Sequence, residues 1–168
     1  MTTGHSRRRR SKIQPGEIFA VPLDRGGYGV GVIARVDGKG GALGYFFGPK
    51  RLEPSLSHRD SFHASLAVYA VIFGTTALEI GAWPRLACLL SFRPEDWPIP
   101  LMAQWIGTES SPRGPCFEYD DDGSLWNRRQ VPCPEDMSSL VAEAVGAPNG
   151  AVEQRLTAIL DPPWWQQP

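Results

Sequence analysis

The sequence predicts an α+β fold: an N-terminal antiparallel, strongly twisted, barrel-like meander, then further strands with a hairpin, then two C-terminal helices. Three observations carry this. Apolar residues alternate with period two across residues 28–36, glycine-rich turns at 24–27 and 37–41 bracket that run, and apolar residues near the end recur at helical spacing.

Residues 1–12 are basic and polar with no apolar periodicity, and they read as a disordered arm containing Arg7 to Arg10 and Lys12. Pro15 and Gly16 punctuate the start of a first strand over 17–23. Tyr28, Val30, Val32, Ala34 and Val36 then fall on one face of a second strand, and residues 42–47 supply a third. Gly29, Gly31 and Gly44 suit places where strands bend or approach one another closely. After a polar connection over 48–63, the run 66–73 reads as a buried strand, 76–80 as one helical turn, 85–91 as a strand and 101–106 as another. Residues 116–119 and 125–131, joined by a turn rich in aspartate with Gly123, form the clearest hairpin. Met137, Leu140, Val141 and Ala144 have helical spacing, with Pro134, Glu135 and Asp136 before them and Gly146 as a stop. A second helix is capped by Asn149, buries Val152, Leu156, Ile159 and Leu160, and ends at Pro162 and Pro163. The expected organisation is thus an arm over 1–12, a single domain over 13–161 and a tail over 162–168 that holds Trp164 and Trp165.

At 168 residues the chain is long enough to bury a core without covalent staples. Its three cysteines, Cys88, Cys116 and Cys133, are odd in number and lack C-x-x-C spacing, so neither a disulfide framework nor a zinc knuckle is expected. A reducing, cytoplasmic setting fits that pattern. No export signal is expected, since the apolar stretch after the basic start, Ile18 to Leu23, is short and contains Pro22, and no membrane span is expected, since the longest apolar run, 64–73, is far below the ~20 residues a spanning helix needs. The net charge of −1 hides an asymmetry: residues 1–60 hold 11 Lys+Arg against 5 Asp+Glu, and residues 61–168 hold 6 against 13. An acidic second part steers a basic protein toward it and repels nucleic acid.

Catalytic and metal constellations are weak. Gly29-x-Gly31-x-x-Ala34 matches a nucleotide fingerprint in letters, but the segment is strand-like and ends at Asp37 and Gly38 before a helix could open. His58, Asp60 and His63 have no helical register that would converge them on a metal, and they read as loop residues. No G-x-S-x-G elbow accompanies a serine, and Cys88 reads as core. We therefore expect a binding protein rather than an enzyme, with no cofactor and no metal. The acidic and aromatic cluster Glu118, Tyr119, Asp120, Asp121 and Asp122 is the expected contact surface for a basic protein. Trp97, set among Pro94, Pro98 and Pro100, is expected to be partly exposed and to join that surface, while the other tryptophans are expected to be mostly core.

Four stretches together resemble the immunity protein 26 family, the neutralising partners of bacterial polymorphic toxins. They are KIQPGEIFAVPL at 12–23, YGVGVI at 28–33, GAWP at 81–84 and FRPEDWPIP at 92–100. The resemblance extends over about residues 12–131, and the arginine arm and the Trp164–Trp165 tail depart from it. It implies an α+β domain that binds and blocks a co-encoded toxin domain in the producing cell, with no chemistry of its own. It supplies no fixed contact residues, so the surface named above rests on the residues alone. The alternative is a small nucleic-acid-binding or regulatory module that uses the basic arm through phosphate contacts and is therefore sensitive to salt.

Overall fold

Residues 28–47 set the architecture, because their apolar side chains point to both sides of an extended chain and only a sheet covered on both faces can bury them. A computed structural model describes residues 12–104, 115–120, 124–134, 141–147 and 150–163. Its elements run β1 (Glu17–Pro22), β2 (Tyr28–Val36), β3 (Gly41–Arg51), β4 (Tyr69–Gly74), α1 (Thr76–Ile80), β5 (Arg85–Cys88), β6 (Met102–Ala103), β7 (Cys116–Tyr119), β8 (Arg128–Val131), β9 (Val141–Ala147) and α2 (Ala151–Leu160), with 3-10 turns at Ala64–Leu66 and Pro94–Asp96. The strands form one sheet in the order β5-β1-β2-β3-β4-β9-β6-β7-β8. Neighbours are antiparallel except where β9 lies parallel to both β4 and β6.

The period-two alternation sorts side chains into two cores. Val30, Val32, Leu43, Tyr45, Phe47, Ala70 and Ile72 line one face, which is covered by Trp97, Phe92 and Leu89 from the segment after β5 and by Leu125 beside the hairpin. Phe19, Val21, Ile33, Phe46, Val71 and Phe73 line the other, covered by Leu78 and Trp83 from α1 and the turn after it, and by Val152 and Leu156 from α2. The G-x-G of β2 serves this packing. A Cβ on Gly29 would lie 2.4 Å from Leu156 Cδ2, and one on Gly31 would lie 2.4 Å from the Phe19 ring.

The α+β class holds, with four revisions. The sheet does not close into a barrel: β5 and β8 stand at its two ends. Among the described residues there is one long C-terminal helix rather than two, since the second part of the expected first helix is strand β9 over Val141–Ala147, and residues 135–140 lie outside the described part. The cause is tertiary. Residues 141–147 fill the gap between β4 and β6, where a strand satisfies two sheet edges at once, and that pairing outweighs local helical spacing. Cys116 and Cys133, 17 residues apart, form a disulfide that ties the start of β7 to the chain just after β8. Hairpin register brings them together, and no sequence spacing announces it: Cys116 pairs with Val131, two residues before Cys133. Cys88, expected in the core, is exposed on edge strand β5.

Candidate functional site around the distal hairpin

Strand β7, which pairs with β8 at the end of the sheet, carries Glu118 and Tyr119 of the expected contact surface. Their ladder pairs Glu118 with Arg129 and Tyr119 with Arg128. The Arg129 guanidinium donates to Glu118 Oε2, and Arg128 lies 4.3 Å above the Phe117 ring. The chain continues into Asp120, which is exposed and whose amide donates to the Asn127 carbonyl at 3.1 Å. Asp121 and Asp122 lie outside the described residues.

Two tryptophans among the described residues depart from expectation. Trp97 is only 3 % exposed. It packs edge-on against Tyr45 at 5.4 Å and stacks on Phe92 at 6.1 Å, so the proline-flanked loop folds inward as a lid on the core instead of displaying its ring. The next residue accepts a hydrogen bond from the Tyr45 hydroxyl through the Pro98 carbonyl, and burial pushes the Tyr45 phenol up to about 12 against the opposing pull of the Arg35 charge.

Trp126, expected in a strand and in the core, is 63 % exposed. Ser124 explains the departure: its hydroxyl accepts from the amides of Trp126 at 3.2 Å and Asn127 at 3.3 Å, a local turn that keeps residue 126 out of the ladder. A serine shortly before an aromatic in a hairpin turn is the signal that could have marked this position.

The exposed indole is nevertheless held. Its Nε1 donates to Asp37 Oδ2 at 2.8 Å, while Asp37 Oδ1 accepts from the amides of Lys39 at 2.7 Å and Gly41 at 2.8 Å. Burial pushes the Asp37 carboxyl up, but the Lys39 and Gly41 amides, the Trp126 indole and the Lys39 charge outweigh it and hold the group below its ordinary value. One ionised carboxylate thus closes the β2–β3 turn and orients an aromatic ring from the far end of the sheet.

His58 and His63 are exposed, and Asp60 is occupied by Arg51, with Nη1 and Nη2 donating at 2.9 and 2.7 Å. No group of three or more metal-ligating side chains occurs among the described residues. No helix among them is long and apolar enough to cross a membrane.

The comparisons with known proteins bear on the sheet rather than on the hairpin. No curated protein and no solved structure matches the chain. The family model of immunity protein 26 matches residues 14–112, which takes in β1 to β6 and leaves the hairpin, β9 and α2 beyond the matched part. A match over more than half of the chain that carries the central strands, α1 and the Trp97 lid establishes that this protein belongs to the immunity protein 26 family.

Proposed function

We propose that the protein binds the toxin domain encoded beside it and neutralises it by occlusion in the cytoplasm of the producing cell, without chemistry of its own. Family membership supports the immunity role. The observation that supports this particular surface is Trp126, a ring 63 % exposed and yet fixed by Asp37. Large aromatics that are ordered before binding lose little entropy in the complex and commonly dominate interface energetics. On the same hairpin Glu118, ion-paired with Arg129, together with Tyr119 and Asp120, offers a polar rim that Asp121 and Asp122 make more acidic in sequence. This suits a basic toxin, with charge speeding encounter and the ring slowing dissociation. Trp97, being buried, supports the fold beneath and does not touch the partner. Residues 1–12 are a dispensable arm in this reading, and neither a membrane nor a nucleic acid is the partner.

The test is co-expression with the toxin domain from the neighbouring gene, scoring survival and co-purification. Rescue by wild type and by a deletion of residues 1–12, with loss of rescue in Trp126→Ala and in the joint Asp120/Asp121/Asp122→Ala variant, is the expected pattern. Absence of rescue and of any complex with a demonstrably toxic domain would sink the proposal.

A further inference from the structure

The β2–β3 turn, residues 37–41, stands directly against Trp126, because the Asp37 carboxylate that caps the turn also holds the indole at 2.8 Å. The turn is rigid on its own account. The Asp37 amide donates to the Gly41 carbonyl at 3.0 Å, and the Gly40 carbonyl accepts from the Thr75 amide at 2.8 Å and the Thr75 hydroxyl at 3.2 Å. Gly38, Lys39 and Gly40 form its exposed tip. A Cβ at Gly38 or Gly40 would meet nothing within 4 Å, so the outer side of the tip is bare backbone open to an approaching surface. Lys39 is the one cation of the turn. Its charge acts on Asp37 through space, but its ammonium makes no hydrogen bond or ion pair among the described residues.

We propose that the toxin covers this tip together with the Trp126 ring, and that a toxin carboxylate meets the Lys39 ammonium there. The inference rests on the immunity reading above and adds a second piece of chain to its contact face. Size makes the two inseparable. A stable interface buries roughly 800 Å² on each partner, a patch of about 16 Å radius, and a hydrogen bond of 2.8 Å puts the turn well inside any such patch centred on Trp126. Rigidity favours the tip as well, since a turn pinned by Asp37 and Thr75 is ordered before the toxin arrives and loses little entropy in the complex. Charge selects the group that stands opposite. The hairpin contributes Asp120, Asp121 and Asp122 in sequence and the turn contributes Lys39, so the face carries opposite charges on its two pieces of chain. A toxin with the matching pattern is steered into one orientation, with a carboxylate over the tip and its cations toward the hairpin.

The experiment measures the affinity of the full chain for the toxin domain encoded beside it, using wild type, Lys39→Glu and Gly38→Asn. It also records the Trp126 indole signal of each free protein in a 15N–1H spectrum. Lys39→Glu sets a like charge against the toxin carboxylate and should raise the dissociation constant about 10-fold or more, with the larger loss at low salt. Gly38→Asn keeps the turn, because asparagine tolerates its φ of +71°, and places a side chain on the bare tip, so it should weaken binding by about 10-fold. Both indole signals should stay at the wild-type position. A scan of single Asp or Glu→Lys changes in the toxin should find one that weakens binding to wild type and restores binding to Lys39→Glu. Wild-type affinity in either variant, or a loss in Lys39→Glu that no toxin change restores, would overturn the contact at the tip and leave the immunity reading standing. A loss accompanied by a displaced indole signal would assign the effect to the ring and would likewise overturn it. Failure of the wild type to bind the toxin would overturn both readings.

Discussion

The Trp126 indole and the Asp37 carboxylate, 89 residues apart in the chain, meet at 2.8 Å and join the distal hairpin to the β2–β3 turn. Asp37 gives one oxygen to two backbone amides of its own turn and the other to the indole, so the turn and the ring are ordered by the same charge. Replacing Asp37 with Asn leaves an oxygen for the amides but turns an N–H toward the indole donor. We expect Asp37→Asn to keep the fold, to shift and broaden the Trp126 indole resonance in a 15N–1H spectrum, and to weaken toxin binding by up to about 10-fold through lost pre-organisation. Trp126→Ala, which removes the ring itself, should cost about 30-fold or more. Equal affinities for wild type and Asp37→Asn, with an unmoved indole signal, would show that the hydrogen bond does not order the ring.

Acid should unfold the protein partly through two carboxylates. The Arg51 guanidinium is the main cause that holds Asp60 below its ordinary value of 3.8, against burial and with help from the Ser57 amide. Asp37 lies below the same value because its hydrogen bonds outweigh burial. In both cases the folded state holds the proton less tightly than the unfolded chain. Their stabilisation is therefore complete above the unfolded value near 3.8 and is lost as pH falls through the lower folded values. The urea midpoint should be flat from about pH 5 upward and should drop below about pH 4. Asp60→Asn should lower the neutral plateau and flatten the acid limb, and an acid limb as steep as that of wild type would mean that Asp60 does not contribute to it.

Two glycines should fail for different reasons. At Gly31 a new Cβ would meet three atoms of the Phe19 ring at 2.4 to 2.9 Å, and that ring is stacked on Trp83 with no room to withdraw. Gly31→Ala should cost about 1–3 kcal/mol by overpacking, and Gly31→Asn should be at least as harmful. Gly38 has open space around it but a φ of +71°, so Gly38→Ala should cost about 1–2 kcal/mol through the backbone alone. Asparagine tolerates that conformation, so Gly38→Asn should recover most of the loss. Denaturant titrations of the four variants distinguish crowding from backbone strain.

What could be read from the sequence divides along the same physical line. The face of Val30, Val32 and Ala34, the turns at 24–27 and 37–41 and the β7–β8 hairpin follow from local periodicity and turn chemistry, and the structure has them. Strand β9 depends on a gap between β4 and β6, strands more than 25 residues apart in the chain, so its helical spacing misleads. Trp97 and Trp126 could not be sorted by their flanking residues. One is drawn inward by Tyr45 and Phe92, and the other is held outside by Ser124 and Asp37. The Glu153 and Trp83 pair, 70 residues apart, had no sequence signal at all.

The Cys116–Cys133 bond sets a condition on where the protein can work. Reducing compartments keep thiols apart, so a protein acting in the cytoplasm must function with the bond open. The hairpin has other supports: the β7–β8 ladder from Cys116 and Val131 to Tyr119 and Arg128, and the pairing of Met102 with Phe117 on the next strand. Closing a loop of 17 residues contributes about 3 kcal/mol in the chain-entropy account. The joint Cys116→Ser and Cys133→Ser variant should therefore lower the urea midpoint measurably yet keep toxin affinity within a few-fold of wild type, because Trp126 is held by Asp37 and not by the bond. Alkylation of protein taken from producing cells supplies the second half of the test. Three modified cysteines without added reductant would match cytoplasmic action, whereas modification of exposed Cys88 alone would mean that the bond is closed where the protein resides and that the cytoplasmic assignment is wrong.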